Sequence, residues 1–189
     1  MTHSERTDGA GRGTPWRIIG WSIPALLLLL PLVAMRLTNE VNWTAPDFVF
    51  AGVLLGGVGV AFELIVRKSG SVAYRLGAAL AVIVAFLTVW ANAAVGMIGS
   101  EDNPYNLVFG AVLLVALIGA ILARFEAGGM TRMMVLTAIV QAAAGAVGLS
   151  TDVRGAIFSM AFAVLWLLAA ALFRSAAHDE VGKGTTPPV

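Results

Sequence analysis

The chain contains 189 residues, of which 59% are hydrophobic and only 12% are charged, and its mean hydropathy is +0.87. Soluble domains carry about 25% charged residues, so this chain has too few polar groups to cover a water-exposed surface. The net charge of +1 excludes the basic excess expected of a nucleic-acid-binding protein. The composition predicts an integral membrane protein, and the absence of cysteine excludes disulfides, thiolate nucleophiles and cysteine-ligated metals.

Six stretches of the chain are long and apolar enough to cross a bilayer as helices. A hydrocarbon core of about 30 Å requires about 20 mostly apolar residues. Five of the stretches contain 18 to 25 uncharged residues, and the sixth contains only one charged residue, Glu63. Strands of an outer-membrane barrel would be about 10 residues long and would alternate in polarity, which this pattern excludes. The stretches lie at residues 18–35, 48–66, 76–100, 103–123, 133–151 and 155–173.

The distribution of Lys and Arg predicts the orientation of these helices. If the N-terminus is cytoplasmic, ten of the twelve basic residues lie on the cytoplasmic side, and only Arg36 and Arg154 lie outside. We therefore expect an all-α polytopic membrane protein with six transmembrane helices and both termini in the cytoplasm. Residues 1–16 and 175–189 are rich in Gly, Ser, Thr and Pro, which predicts disordered cytoplasmic tails on either side of a six-helix bundle at residues 17–174.

Three polar residues within the predicted spans are candidates for a functional role. Glu63 is the only acidic one, and an intramembrane carboxylate suggests proton or cation coupling. Arg67 follows it by four residues, so an ion pair on one face of the helix is the alternative. Asn92 and Gln141 bring amides into the hydrocarbon, where they either join neighbouring helices or line a polar pathway.

The predicted outer loops hold a second group of candidates. Carboxylate and amide oxygens are the ligands of hard cations, so a site for a divalent cation or a cationic ligand is one hypothesis. The alternative is that these acids only solvate the loops, while Asp47 and Pro104 begin helices. The candidates are Asn42, Trp43 and Asp47 in the first loop and Glu101, Asp102, Asn103 and Asn106 in the second, with Glu40 and Asp152 as further acids in the first and third loops.

Two further patterns concern packing. Gly52 and Gly56 form a GxxxG motif, continued by Gly57 and Gly59, which favours a close helix contact within or between chains. Four aromatic residues fall near the predicted membrane interfaces, as the aromatic belt of a membrane protein does. These are Trp16, Trp43, Tyr74 and Tyr105.

Catalytic motifs are absent from the sequence. The only histidines, His3 and His178, lie in the tails, which excludes a histidine-ligated haem or metal and a serine–histidine pair inside the membrane. There is no G-x-S-x-G elbow, no P-loop and no G-x-G-x-x-G before a helix. We predict no catalytic site, no cofactor and no bound metal, although a carboxylate-dependent lipid enzyme remains a third and less favoured class.

The function that fits these observations is that of a binding, accessory or assembly protein of the membrane. Its expected partners are the lipid bilayer and either further copies of the chain or other membrane proteins. The alternative is a small oligomeric transporter or channel subunit for a cation or small solute, working as an oligomer because six short helices enclose little space by themselves.

The loop motifs themselves suggest a family. The chain has Asn42-Trp43-Thr44 followed by Asp47-Phe48, and a second motif, Gly-Ser-Glu-Asp-Asn-Pro, at residues 99–104. In these motifs and over most of the helical region it resembles a group of uncharacterised small multi-pass proteins of the bacterial inner membrane. The resemblance implies an inner-membrane location, and it implies no activity, cofactor or partner.

Overall fold

A computed structural model describes residues 14–68 and 70–184, and these residues form six α-helices and no β-strand. A single 3₁₀ turn, Pro104–Asn106, precedes the fourth helix. The prediction of an all-α protein is therefore confirmed. The helices are α1 (Thr14–Leu37), α2 (Ala45–Lys68), α3 (Val72–Ala94), α4 (Leu107–Leu122), α5 (Ala127–Gly148) and α6 (Val153–Gly184).

Five stretches of helix are long and apolar enough to cross a membrane. They contain 19 to 30 residues, whereas the described apolar stretch of α1, Trp21–Leu37, is shorter. The described residues thus contain five helices of spanning length, as expected of a multi-pass membrane protein. The five stretches are Ala45–Ile65, Val72–Ala94, Pro104–Leu122, Ala127–Gly148 and Val153–Gly182.

Side-chain caps fix where several helices begin. At the start of α2, both the backbone N–H and the hydroxyl of Thr44 donate to Oδ2 of Asp47, each at 2.7 Å. The hydroxyl of Ser71 accepts from the backbone N–H of Tyr74 at 3.3 Å and caps α3. Pro104 is the first residue of the 3₁₀ turn, where its fixed φ is favourable. The predicted roles of Asp47 and Pro104 in beginning helices are confirmed.

The chain divides into two compact units, residues 1–61 and 62–189. In the first unit, α1 and α2 approach each other closely at Gly59, where a Cβ atom would lie 3.1 Å from the ring of Trp21. By contrast, nothing lies within 4 Å of the position that a Cβ would take at Gly56 or Gly57. Part of the glycine motif therefore packs within the unit, and part of it meets no described neighbour.

In the second unit, α6 packs against α3 and α5, and α5 also packs against α4. One face of α6 is buried at intervals of three or four residues, the period that places side chains on one side of a helix. Because this face is contacted from both sides, α6 is the central element of the unit. The buried residues of the face are Ala156, Ser159, Phe162, Trp166, Ala169, Phe173 and Ala176.

The last helix extends beyond the predicted bundle. It contains 32 residues, and at 1.5 Å per residue it is about 48 Å long, more than a hydrocarbon core of about 30 Å requires. Residues 175–184, which composition assigned to the C-terminal tail, are helical and continue α6, and Ala176 among them is buried. The predicted disorder of residues 1–13 and 185–189 falls outside the described residues.

Candidate functional site

Glu63 lies near the end of α2 and forms an ion pair. Its Oε1 accepts a hydrogen bond from Nη2 of Arg67 at 2.5 Å, and the two side chains are 25% and 65% exposed. The ion pair predicted from the four-residue spacing is thus present. An exposed guanidinium near a helix end reaches the interface, so the pair is compatible with the membrane edge.

The amide of Asn92 stays within its own helix. Its Nδ2 donates to the backbone carbonyl of Thr88 at 2.7 Å, and the hydroxyl of Thr88 donates to the carbonyl of Val84 at 2.8 Å. The expected bond from Asn92 to a neighbouring helix is not made among the described residues. The reason is geometric. The amide of Asn92 lies close to the carbonyl oxygen of the residue four positions earlier, and that oxygen has a free lone pair. Its Oδ1 is buried without a hydrogen-bond partner.

Gln141 makes the interhelical bond expected of it. Its Nε2 donates to the hydroxyl of Ser159 at 3.0 Å, and that hydroxyl is 3.4 Å from the carbonyl of Gln141, so the bond links α5 to α6 in the buried seam. Both residues have no exposed surface. Two buried atoms in this seam, Oε1 of Gln141 and Nε1 of Trp166, have no hydrogen-bond partner.

The predicted loop between α3 and α4 folds into the second unit. Met97 and Ile98 are 1% and 0% exposed, and a Cβ at Gly148 of α5 would lie only 2.6 Å from Cδ1 of Ile98. Gly96 and Gly99 have φ of 75° and 74°, which side chains rarely adopt. The loop therefore acts as an apolar plug, which covers the end of the packed surface between α5 and α6.

Two candidate amides hold this plug in place. Asn106 accepts from the backbone N–H of Ile98 at 2.9 Å and donates to the carbonyl of Ser100 at 2.7 Å. Asn103 donates to the carbonyl of Ile98 at 2.9 Å and accepts from the backbone N–H of Tyr105 at 3.1 Å. Their oxygens are already used by backbone donors, which leaves them less available as cation ligands.

Asp152 joins the plug to the start of α6. Its Oδ2 accepts from the N–H of Gly99 at 2.8 Å, and its Oδ1 accepts from the N–H groups of Arg154 and Gly155, both at 3.0 Å. These bonds favour the ionised form, so the N–H of Gly155 first and that of Gly99 second hold the pKa of the Asp152 carboxyl below its ordinary value. We call the region of Gly96–Asn106 and Asp152 the glycine end.

The first predicted outer loop lies in the other unit, and each of its candidates contacts a residue close to it in the chain. Nδ2 of Asn42 donates to the carbonyl of Asn39 at 3.1 Å, and the Trp43 ring packs edge-on against Phe48 with centroids 5.3 Å apart. Asp47 receives the two bonds from Thr44 described above.

The remaining loop candidates, Glu101 and Asp102, are exposed. Within residues 14–68 and 70–184, no group of three His, Cys, Asp or Glu side chains is placed to hold a metal ion. The cation-site hypothesis therefore finds no ready-made ligand set in the part of the chain that the structure describes.

A site that sequence reasoning missed lies at the opposite end of the second unit. Nζ of Lys68 donates to the carbonyl of Arg124 at 3.3 Å, and the hydroxyl of Tyr74 donates to the carbonyl of Phe125 at 2.6 Å. The Tyr74 ring also packs edge-on against Phe173, with centroids 5.2 Å apart. We call these four residues, Lys68, Tyr74, Arg124 and Phe125, the clamp.

The clamp holds an unusual backbone. Arg124 and Phe125 are consecutive non-glycine residues with φ of 52° and 56°. No glycine marks the position, so the sequence carries no signal for it. Tyr74 was expected in an aromatic belt, but it is 4% exposed, since its ring packs in the core and its hydroxyl is used by the clamp.

No protein-family model, curated protein or solved structure matches the chain.

Proposed function

We propose that the chain is a binding, accessory or assembly protein of the bacterial inner membrane, with six spans, both termini in the cytoplasm and no catalytic centre. The observation that carries the proposal is the use made of its intramembrane polar groups. Thr88, Thr137 and Asn92 bond to the backbone of their own helices, and Gln141 bonds to Ser159. These groups serve packing, and in the described residues none of them bonds to an acidic, basic or histidine side chain.

The six-span topology rests on length and charge. The 24 residues of α1 would extend about 36 Å as a helix, which suffices for a core of about 30 Å. The ten-to-two distribution of basic residues favours cytoplasmic termini. Reporter fusions after Lys68 and after Ser100 should report opposite sides of the membrane, and fusions at the two termini should report the same side.

A transporter or channel subunit is the second candidate, and one observation favours it. Oδ1 of Asn92, Oε1 of Gln141 and Nε1 of Trp166 are buried without a hydrogen-bond partner. Unpaired polar atoms at membrane depth are costly and often line ion or solute pathways. In a transporter, these atoms would replace water molecules in the hydration shell of a passing solute.

Flux through proteoliposomes distinguishes the two candidates. We expect the purified protein to carry H⁺, Na⁺ and K⁺ no faster than protein-free vesicles do, because its polar side chains are used in packing. Flux that exceeds this background and is lost in both Glu63→Gln and Gln141→Leu would contradict the accessory role. Arg154→Gln is the matched control, since this exposed residue lies outside the packed seam.

Gentle purification from native membrane supplies the second arm of the test. An accessory or assembly protein should elute either with a membrane protein in fixed stoichiometry or as an oligomer of defined size, as measured by mass spectrometry and light scattering. A strict monomer without a companion would contradict the proposal.

A further inference from the structure

The clamp gathers basic residues at one end of the second unit. Its two hydrogen bonds bring the end of α2 and the start of α3 against the link between α4 and α5. Arg75 follows Tyr74 in the chain, and Arg174 follows Phe173, which packs on the Tyr74 ring. We call the set the basic end, and it comprises Arg67, Lys68, Arg75, Arg124, Arg132 and Arg174.

The basic end has an excess of positive charge, because its six basic residues outnumber the acids Glu63, Glu126, Asp179 and Glu180. Glu63 and Glu126 are the acids nearest in the chain to Arg67 and Arg124, and Glu63 is already bonded to Arg67. The other, Glu126, is exposed. Among the described residues, neither Arg124 nor Arg174 forms an ion pair. Asp179 and Glu180 lie on α6 more than a turn beyond Arg174, and Glu180 is close enough to Tyr74 of the clamp to interact with it electrostatically.

The backbone of the clamp has a left-handed conformation at two residues with side chains, although glycine adopts this conformation more easily. L-residues rarely adopt a positive φ, yet Arg124 and Phe125 both do so, and both side chains are exposed. Strain of this kind persists only where surrounding bonds over-determine it, and it clusters at binding sites. Here the bonds from Lys68 and Tyr74 to the two carbonyls hold it.

Exposed apolar groups adjoin these charges. The Phe125 ring is 43% exposed and lies 5.9 Å from Nζ of Lys68, while Leu122 and Val72 are 75% and 68% exposed. Guanidinium groups match the oxygens of a phosphate, and an ammonium that has made one bond keeps further donors. A cation array bordered by apolar surface at a membrane edge matches a phosphate that is attached to acyl chains.

We infer that the basic end binds the phosphodiester headgroup of an anionic phospholipid, with Arg124, Lys68 and Arg174 facing the phosphate and Phe125 beside the upper acyl chain. This inference goes beyond the proposed function, and it depends only on the chain residing in a membrane. A soluble phosphate compound would gain the charge contacts and lose the apolar ones.

The test measures binding of phosphatidylglycerol to the full-length protein in neutral detergent, by native mass spectrometry and by melting temperature. Phosphatidylglycerol should bind and raise the melting temperature, whereas phosphatidylcholine should not. Removing one basic residue should weaken binding about fivefold, because each contributes about 1 kcal/mol at an anionic surface. Glycerol 3-phosphate is the probe for a free-phosphate site, and equal stabilisation by it would overturn the assignment to lipid.

Arg124→Gly separates binding from folding. It removes a charge and also the left-handed strain, so its melting temperature without lipid should be unchanged or higher while its response to phosphatidylglycerol falls. Arg154→Gln, next to Asp152 of the glycine end, is the matched loss of charge and should keep the full response. Should Arg124→Gly fail to fold, Arg174→Gln gives the same comparison on the exposed face of α6. Equal lipid responses in the wild type and these basic-end variants would overturn the proposal.

Discussion

The two ends of the second unit use left-handed backbone in opposite ways. At the glycine end, Gly96 and Gly99 have φ of 75° and 74°. At the basic end, Arg124 and Phe125 have φ of 52° and 56°. Glycine adopts these angles at little cost, whereas an L-residue loses about 1–2 kcal/mol. The same backbone requirement is therefore met without side chains at one end and with two large ones at the other.

The surroundings of each turn explain the difference. A Cβ at Gly96 would collide with the carbonyl oxygen of Ser100 and lie 2.7 Å from Nδ2 of Asn106, so no side chain fits there. Arg124 and Phe125 are exposed and have room. Their two carbonyl bonds, worth about 0.5–1.5 kcal/mol each, offset much of the conformational cost. The glycine end is constrained by packing, whereas the basic end keeps the side chains of Arg124 and Phe125 exposed.

The largest expected effect comes from a side chain at the glycine end. Gly96→Ala should lower the free energy of unfolding by about 3 kcal/mol or more, since it adds backbone strain and displaces Asn106 from Ser100. Unfolding in detergent micelles, followed by tryptophan fluorescence, measures this. Gly110→Ala is the control, because nothing lies within 4 Å of its Cβ position, and it should be neutral or slightly stabilising. Similar losses in both variants would show that the turn is not specially constrained.

A smaller effect is expected at the clamp. Tyr74→Phe keeps the ring against Phe173 but removes the bond to the carbonyl of Phe125, which should cost about 1 kcal/mol. The left-handed turn should then open more often, so trypsin should cleave after Arg124 faster than in the wild type. Tyr105→Phe, which loses a bond to the carbonyl of Ala144 at 2.7 Å, is the control and should not change this cleavage rate. An unchanged rate in Tyr74→Phe would mean that the bond does not hold the turn.

Features that depend on neighbouring residues in the chain could be predicted from the sequence. Helix length follows from the charge-free stretches, and the start of α2 follows from Asp47 three residues after Thr44. The ion pair of Glu63 follows from the position of Arg67 four residues later. Each of these interactions closes within one turn of a helix.

Features that depend on distant residues could not be predicted. Asp152 bonds to Gly99, 53 positions away, and Tyr74 bonds to Phe125, 51 positions away. No local pattern specifies which loop a carboxylate or a hydroxyl will meet. Asn92 is the opposite case. Its position in the sequence allowed a bond to a neighbouring helix, but its amide bonds to a carbonyl of its own helix. Hydropathy could place the amide in the membrane but could not choose between these partners.

The smallest expected effect concerns acid and the glycine end. The N–H groups of Gly155, Gly99 and Arg154 lower the pKa of the Asp152 carboxyl in the folded protein, while the unfolded value is about 3.9. Its contribution to stability is therefore complete above about pH 5 and is lost as the pH falls through the lowered pKa. Melting temperatures of the wild type and Asp152→Asn should differ at pH 6 and converge in strong acid. Asp102→Asn, at an exposed carboxylate without a hydrogen bond to any described residue, should match the wild type at both pH values. If the wild type and Asp152→Asn differed equally at both, the carboxylate charge would not be what ties the plug to α6, and the glycine end would depend on Gly96 and Asn106 alone.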